Sequence, residues 1–309
     1  MKKIAFHPML LERYKRIFGT EYESYVEYCS RPLPYVIRTN TLKISAKELQ
    51  KKLIERDWNM IPVPFYPDAF TVATEETLGN TREHFLGQYY VQGAASMIPP
   101  LALDPKPGEM IMDLCASPGS KSTQIAQLLQ NKGVLLANEQ DQKRIFPLVF
   151  NLQRCGVINS IVTQHSGAFF KNQRILFDRI LVDAPCSAEG TVRKDSRLPE
   201  YLNVNLFHRM SKLQKELVRA AIACLKPGGT LVYSTCTVAP EENEGVIQQM
   251  LHEYPDLKVE TINIPGLKTR PGLTGWEGLG LTAVMKKTIR VYPQDNDTEG
   301  FFVAKLVKQ

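Results

Sequence analysis

The sequence predicts an α/β protein with a doubly wound, mostly parallel sheet, preceded by a smaller α+β module. Three observations predict it. From residue 91 onward, short apolar runs alternate with helical segments, the pattern of repeated βα units with buried strands. Before that point, helix-like and strand-like segments are mixed within a short span. The chain has 309 residues, which suits about two domains. The division is set at residues 1–90 and 91–309.

In the first part, Leu10, Leu11, Tyr14, Ile17 and Phe18 recur at helical spacing and place one or two helices over 8–29. Residues 35–40 are β-branched and strand-like. Ser45 with Glu48 three residues on is a capping box, opening a helix to Arg56. Pro62, Pro64 and Pro67 mark a loop, and an extended stretch follows at 70–72.

In the second part, strands are expected at 110–115, 134–138, 161–163, 177–182 and 230–234. Helices are expected at 122–130, 142–155, 205–225 and 240–253, with late strands at 289–292 and 301–306. Pro147 falls inside the second of these helices, where proline kinks or delays it. Lys226-Pro227-Gly228-Gly229 is a stop signal. Pro240 and three glutamates open the last helix.

Composition narrows the function classes. Hydrophobic residues make up 43% of the chain, enough for a core without disulfide or metal staples. The formal charge is +6, which suits a polyanionic partner without demanding one. It is not segregated, because residues 1–90 hold 13 basic and 11 acidic residues. Six cysteines in so long a chain do not make a disulfide framework. No CxxC pair or Cys/His cluster has metal-ligand spacing, so no metal is expected. The apolar run near the N-terminus is broken by His7, Glu12 and Arg13, unlike a signal peptide. No run is long enough for a membrane span. A cytoplasmic monomer with reduced thiols is expected.

In a doubly wound sheet, ligands bind beyond the carboxyl ends of the strands. The first strand end here carries Asp113 and then Cys115-Ala116-Ser117-Pro118-Gly119-Ser120-Lys121. The next ends give Glu139, then Ser166, then Asp183 with Cys186, and lastly Cys236. The first loop is neither GxGxxG nor GxxxxGK[ST], so it grips no pyrophosphate or triphosphate. It still turns tightly into a helix, and Gly119 lets the backbone approach a ligand. Glu139 is placed to bind a ribose diol. An adenosine cofactor without a pyrophosphate grip points to S-adenosylmethionine. Cys115, Cys155 and Cys224 read as small buried hydrophobes. Cys186 and Cys236, at adjacent strand ends, are candidate nucleophiles.

The segments DLCASPGSK, DAPCSAEGTVRKD, KPGGTLVYSTCT with PEENE, and EGFFVAKL together resemble the Nop/Sun family of RNA cytosine-C5 methyltransferases. PYVIRTNTLK and YYVQGAAS resemble that family's leading module. The resemblance covers nearly the whole chain, in order. It implies a Rossmann-like S-adenosylmethionine-dependent methyltransferase fold and an RNA substrate. Within the family the chain looks like the compact, archaeal-type, tRNA-directed members, with rRNA as the alternative target.

The resemblance also implies roles. Cytosine C5 attacks a methyl sulfonium poorly unless a thiolate has first added to C6. The family's Thr-Cys motif supplies that thiolate, here Cys236, and the Pro-Cys motif serves product release, here Cys186. DNA cytosine methyltransferases use a Pro-Cys motif instead. Asp183 lies near both the cytosine edge and the cofactor. Residues 115–121 form the cofactor loop, Glu139 takes the ribose, and Ser166 stands where many relatives carry Asp. Arg193, Lys194 and Arg197, beside the fourth strand end, are expected to hold RNA phosphates. Arg38, Lys43, Lys47, Lys51 and Lys52, with Tyr35, form a second candidate RNA surface.

Overall fold

The computed structural model describes residues 6–309; the first five, part of the N-terminal stretch considered above, lie outside it. The chain opens with α1 (Pro8–Phe18) and α2 (Tyr22–Cys29). His7 caps α1 by accepting the Met9 amide at 3.3 Å, and Pro8 stands in its first turn. Leu10, Tyr14, Ile17 and Phe18 are buried, as their spacing requires.

Next come β1 (Tyr35–Thr39), α3 (Ala46–Ile54), β2 (Asn59–Val63), β3 (Tyr66–Ala73), α4 (Arg82–Phe85) and β4 (Tyr89–Val91). The four strands form an antiparallel sheet in the order β2-β3-β1-β4. Ser45 and Glu48 form the expected capping box at the start of α3. The proline-rich stretch, expected as a loop, is instead a hairpin turning at residues 64–65. Pro62 is tolerated because β2 is an edge strand, with a bulge at that point.

Then follow α5 (Ile98–Leu103), β5 (Met110–Asp113), α6 (Ser120–Leu128), β6 (Val134–Asn138), α7 (Gln142–Arg154), β7 (Ser160–Thr163) and β8 (Phe177–Asp183). The chain continues through α8 (Val204–Ala223), β9 (Leu225–Thr235), α9 (Glu244–Glu253), β10 (Leu257–Glu260), β11 (Arg270–Pro271), β12 (Ile289–Val291), α10 (Pro293–Asn296) and β13 (Phe301–Lys308). Strands β7-β6-β5-β8-β9 pair in parallel, and β13 closes on β9 antiparallel. The doubly wound sheet is therefore present, with an antiparallel margin in which β10 and β11 were not expected. The chain winds from β5 towards β6 on one side and resumes at β8 on the other. That reversal puts the ligand crevice at the carboxyl ends of β5 and β8.

Local differences have physical causes. Helix α7 runs through Pro147, which is exposed, so the Lys143 carbonyl it leaves unpaired can be hydrated. The Lys226–Gly229 run bulges within β9, where Phe177 pairs with Leu225 and Arg179 with Thr230. Residues 240–243 form a turn, and α9 begins at Glu244, because Glu241 and Glu242, also expected in its first turn, are drawn to other elements.

The expected 1–90 module divides in its packing. Its sheet and α3 share a core of Ile37, Leu49, Leu53, Trp58 and Phe70. Helices α1 and α2 pack instead against Val192, Phe207, Val238 and Tyr292 of the second part.

Candidate active site

The site starts from the loop after β5. Asp113 is fully buried, accepts the Ser122 hydroxyl at 2.7 Å, and is pushed up to about 7 by burial. The following turn is closed by Gly119 N donating to the Ala116 carbonyl at 2.8 Å. Gly119 has φ +101°, and a Cβ there would stand 3.2 Å from Leu148. Ser117 and Arg144 exchange side-chain-to-backbone hydrogen bonds of 2.7 and 2.8 Å, fastening the turn to α7. Glu139, at the end of β6, is buried. One of its oxygens accepts the Asp141 amide at 2.9 Å, and the other lies 3.5 Å from Arg144.

Asp183 ends β8. Ser234 donates to one of its oxygens, and Lys121 Nζ lies 2.7 Å from the other. Lys121 also donates to Ser96 at 2.9 Å, so the cation at this helix start has partners. Cys186 and Cys236 meet beside them, with Sγ atoms 3.2 Å apart. The neighbouring sulfur and burial push the Cys186 thiol well up.

Two cavities meet at this point. The first, of about 200 Å³, is bounded by Cys115, Ser117, Glu139, Arg144, Leu213 and Leu217. The second, of about 350 Å³, is bounded by Gln92, Gly93, Ser120, Lys121, Lys194 and Glu299. Asp183, Ala184 and Cys236 stand in the wall of both, while Cys186 faces the first. The expected cofactor loop is thus shared out. Cys115 and Ser117 face the first cavity, and Pro118, Ser120 and Lys121 the second. Ala116 and Gly119 shape the turn. Ser166 is exposed, and it is its neighbour Gly167 that lines the first cavity.

The first cavity fits an adenosine cofactor chemically. Glu139 offers acceptors to a diol, Leu213 and Leu217 give an apolar wall, and Asp183 supplies a carboxylate that would suit a cationic sulfur. Cys115, whose type alone suits a core but which the resemblance puts in the cofactor loop, lines this cavity, its thiol pushed up by burial.

The two cysteine loops are tied together behind the thiols. Ser187 and Thr237, each following one cysteine, share a hydrogen bond of 3.0 Å. Glu242 accepts the Ser187 amide at 2.9 Å and Gln214 at 2.8 Å. Thr237 reaches the fully buried Glu189 at 3.2 Å, whose carboxyl burial pushes up to about 7. The neighbouring acids, Glu241 in the turn and Glu244 at the start of α9, serve other elements. Glu241 pairs with Arg13 at 2.7 Å, and the buried Glu244 with Arg290 at 2.5 Å.

The expected RNA contacts are corrected in part. The Arg193 side chain is only 1% exposed; its guanidinium holds the Arg31, Pro32 and Thr298 carbonyls and Asp297. It is therefore spent on structure and unavailable to a phosphate. Lys194, paired with Glu299, remains half exposed, and Arg197 is exposed beside Asp195. In the leading module Arg38 is fully buried, donating to Gln92 at 2.6 Å, the Ser120 carbonyl at 2.8 Å and Thr123 at 2.8 Å. Lys43 caps the Leu86 and Arg154 carbonyls, while Lys47, Lys51 and Lys52 are exposed.

Sequence reasoning missed Ser96, Gln92, Ser234 and Gln214. Each is a common polar residue whose partner is distant in the chain. Among the described residues, no helix is long and apolar enough to cross a membrane. No cluster of three or more His, Cys, Asp or Glu among them could hold a metal ion.

Comparison with known proteins identifies the family. Residues 100–307 match the family described as 16S rRNA methyltransferase RsmB/F. Residues 8–94 match the N-terminal domain of 16S rRNA methyltransferase RsmF. The chain is 43% identical to a tRNA (cytosine(49)-C(5))-methyltransferase of Pyrococcus abyssi, over 97% of this chain and 95% of that protein. It is 39% identical to ribosomal RNA small subunit methyltransferase F of Shewanella denitrificans, over 93% of this chain but 57% of that one. A methyltransferase homologue from Pyrococcus horikoshii superposes with a TM-score of 0.89 at 36% identity, covering 99% of this chain and 96% of the other. NSun6 from the same organism, solved with SFG, gives 0.87 at 27% identity and covers 99% of both chains. The chain belongs to the RsmB/F family, the Nop/Sun group of RNA cytosine-C5 methyltransferases.

Proposed function

We propose that the protein forms 5-methylcytosine in tRNA through a transient Cys236–C6 bond, using S-adenosylmethionine. One observation carries the tRNA reading. The identity to the tRNA-directed relative is 43% over 97% of this chain, against 39% over 93% for the Shewanella rRNA enzyme. The cofactor reading rests on the chemistry of the first cavity and on the NSun6 structure solved with an S-adenosylmethionine analogue.

S-adenosylmethionine, when bound in the first cavity, supplies an electrophilic methyl group. Leu213, Leu217 and Glu139 hold its nucleoside. The flipped cytosine occupies the second cavity, with C5 facing the wall that both cavities share. Cys236 adds to C6 and pushes electron density to C5, which would then take the methyl group, with S-adenosylhomocysteine as the leaving group. Asp183, steadied by Lys121 and Ser234, hydrogen-bonds the amino edge and stabilises charge on the ring. Transfer of the C5 proton to a solvent base breaks the C6–S bond, restores the double bond and expels Cys236 as a thiolate. Cys186, kept as a thiol by burial and the adjacent sulfur, can return a proton to the departing Cys236 sulfur.

The test is incubation of purified protein and S-adenosylmethionine with tRNA transcripts and with 16S rRNA, followed by bisulfite sequencing. A new 5-methylcytosine in tRNA alone is expected. Modification of rRNA alone would overturn the tRNA assignment.

A further inference from the structure

The second cavity does not end at the thiols. Four of its lining residues, Val91, Gln92, Gly93 and Lys194, also line a third cavity of about 500 Å³. That cavity in turn shares Tyr35 and Val91 with a further hollow along the leading sheet. A continuous groove therefore runs from Cys236 to Tyr35.

Its construction suits a nucleic-acid strand. Gly93 puts no side chain into the passage, and a Cβ there would fall 2.3 Å from a Glu299 oxygen. Lys194, half exposed and paired with Glu299, places a cation where the two cavities join. Arg193 fixes the wall by holding the Arg31 and Pro32 carbonyls to Thr298. At the far end the Tyr35 ring is 68% exposed, large for an aromatic on a central strand, and Val91 beside it is 37% exposed. An uncovered ring of this kind is what an unstacked base packs upon.

We propose that Tyr35 stacks the base of a nucleotide flanking the target cytosine, and that the RNA leaves the active site along this groove past Lys194. This rests on the RNA reading above and adds the path of the strand. The groove commits to an RNA strand because it is continuous with the cavity holding the target base.

The experiment compares wild type, Tyr35→Ala and Tyr35→Phe on tRNA transcripts that are intact or carry one abasic site near the target. The abasic sites are placed at each of the two positions on either side of the target. Tyr35→Ala should raise KM about 5- to 100-fold, the range for one base–aromatic stack, with kcat nearly unchanged and Phe restoring wild-type behaviour. At the stacked position, the abasic substitution should penalise wild type and cost Tyr35→Ala nothing further. An unchanged KM in Tyr35→Ala, or penalties that multiply at every position, would overturn the proposal. Methylation of intact tRNA by wild type tests the function separately, so the two failures are distinguishable.

Discussion

Lys121 Nζ lies 2.7 Å from Asp183 Oδ2, joining the loop after β5 to the end of β8 across the switch point of the sheet. Lys121 borders the second cavity and not the first. Lys121→Met should therefore slow methyl transfer, by about 10- to 100-fold in single turnover, with little change in cofactor affinity by calorimetry. Weakened cofactor binding with normal transfer would reassign Lys121 to the cofactor.

Glu139 is the only carboxylate besides Asp183 facing the first cavity among the described residues. Glu139→Ala should weaken S-adenosylmethionine binding by about tenfold or more, as expected for loss of hydrogen bonds to a charged group. RNA affinity, measured by gel shift without cofactor, should stay as in wild type.

Arg38 joins β1 of the leading sheet to the start of α6 through Ser120 and Thr123. Arg38→Met removes the charge but strands its buried partners. Urea unfolding should show a loss of about 2–4 kcal/mol. A loss of RNA affinity with unchanged stability would instead return Arg38 to the RNA surface.

Glu189 sits behind both cysteine loops with its carboxyl pushed up to about 7 by burial. In the unfolded chain a glutamate titrates near about 4.3. Below that value both states keep the proton and its contribution is intact. As pH rises towards the folded value, only the unfolded chain releases it, and stability falls. Glu189→Gln cannot titrate, so between about pH 5 and pH 8 it should gain on wild type by about 1–3 kcal/mol in denaturant titrations. Parallel curves across that range would contradict the assignment.

The alternation of apolar runs and helices was legible because it is a local signal, and it located β5 to β8 to within two residues, while β9 starts five residues earlier than expected, through the Lys226–Gly229 run. The strand-end rule then found Glu139, Asp183, Cys186 and Cys236 without coordinates, because the position of a residue after a parallel strand places it on the rim. What failed was any property set by a distant partner. Arg193 and Arg38 read as cations for RNA, yet carbonyls and amides far along the chain bury them. Glu241 and Glu242 read as helix-start acids, but Arg13 holds the first and Ser187 and Gln214 the second in the turn before α9, and only Glu244 begins the helix. Pro62 hid a strand because nothing local says that β2 is an edge.

The central claim is that Cys236 bonds to cytosine while Cys186, 3.2 Å away, acts in release. Denaturing gels of each cysteine variant, incubated with tRNA and S-adenosylmethionine, test it most directly. Cys186→Ala should accumulate a covalent protein–RNA band, and Cys236→Ala should form none. A band in Cys236→Ala that is absent from Cys186→Ala would contradict the assignment and make Cys186 the nucleophile.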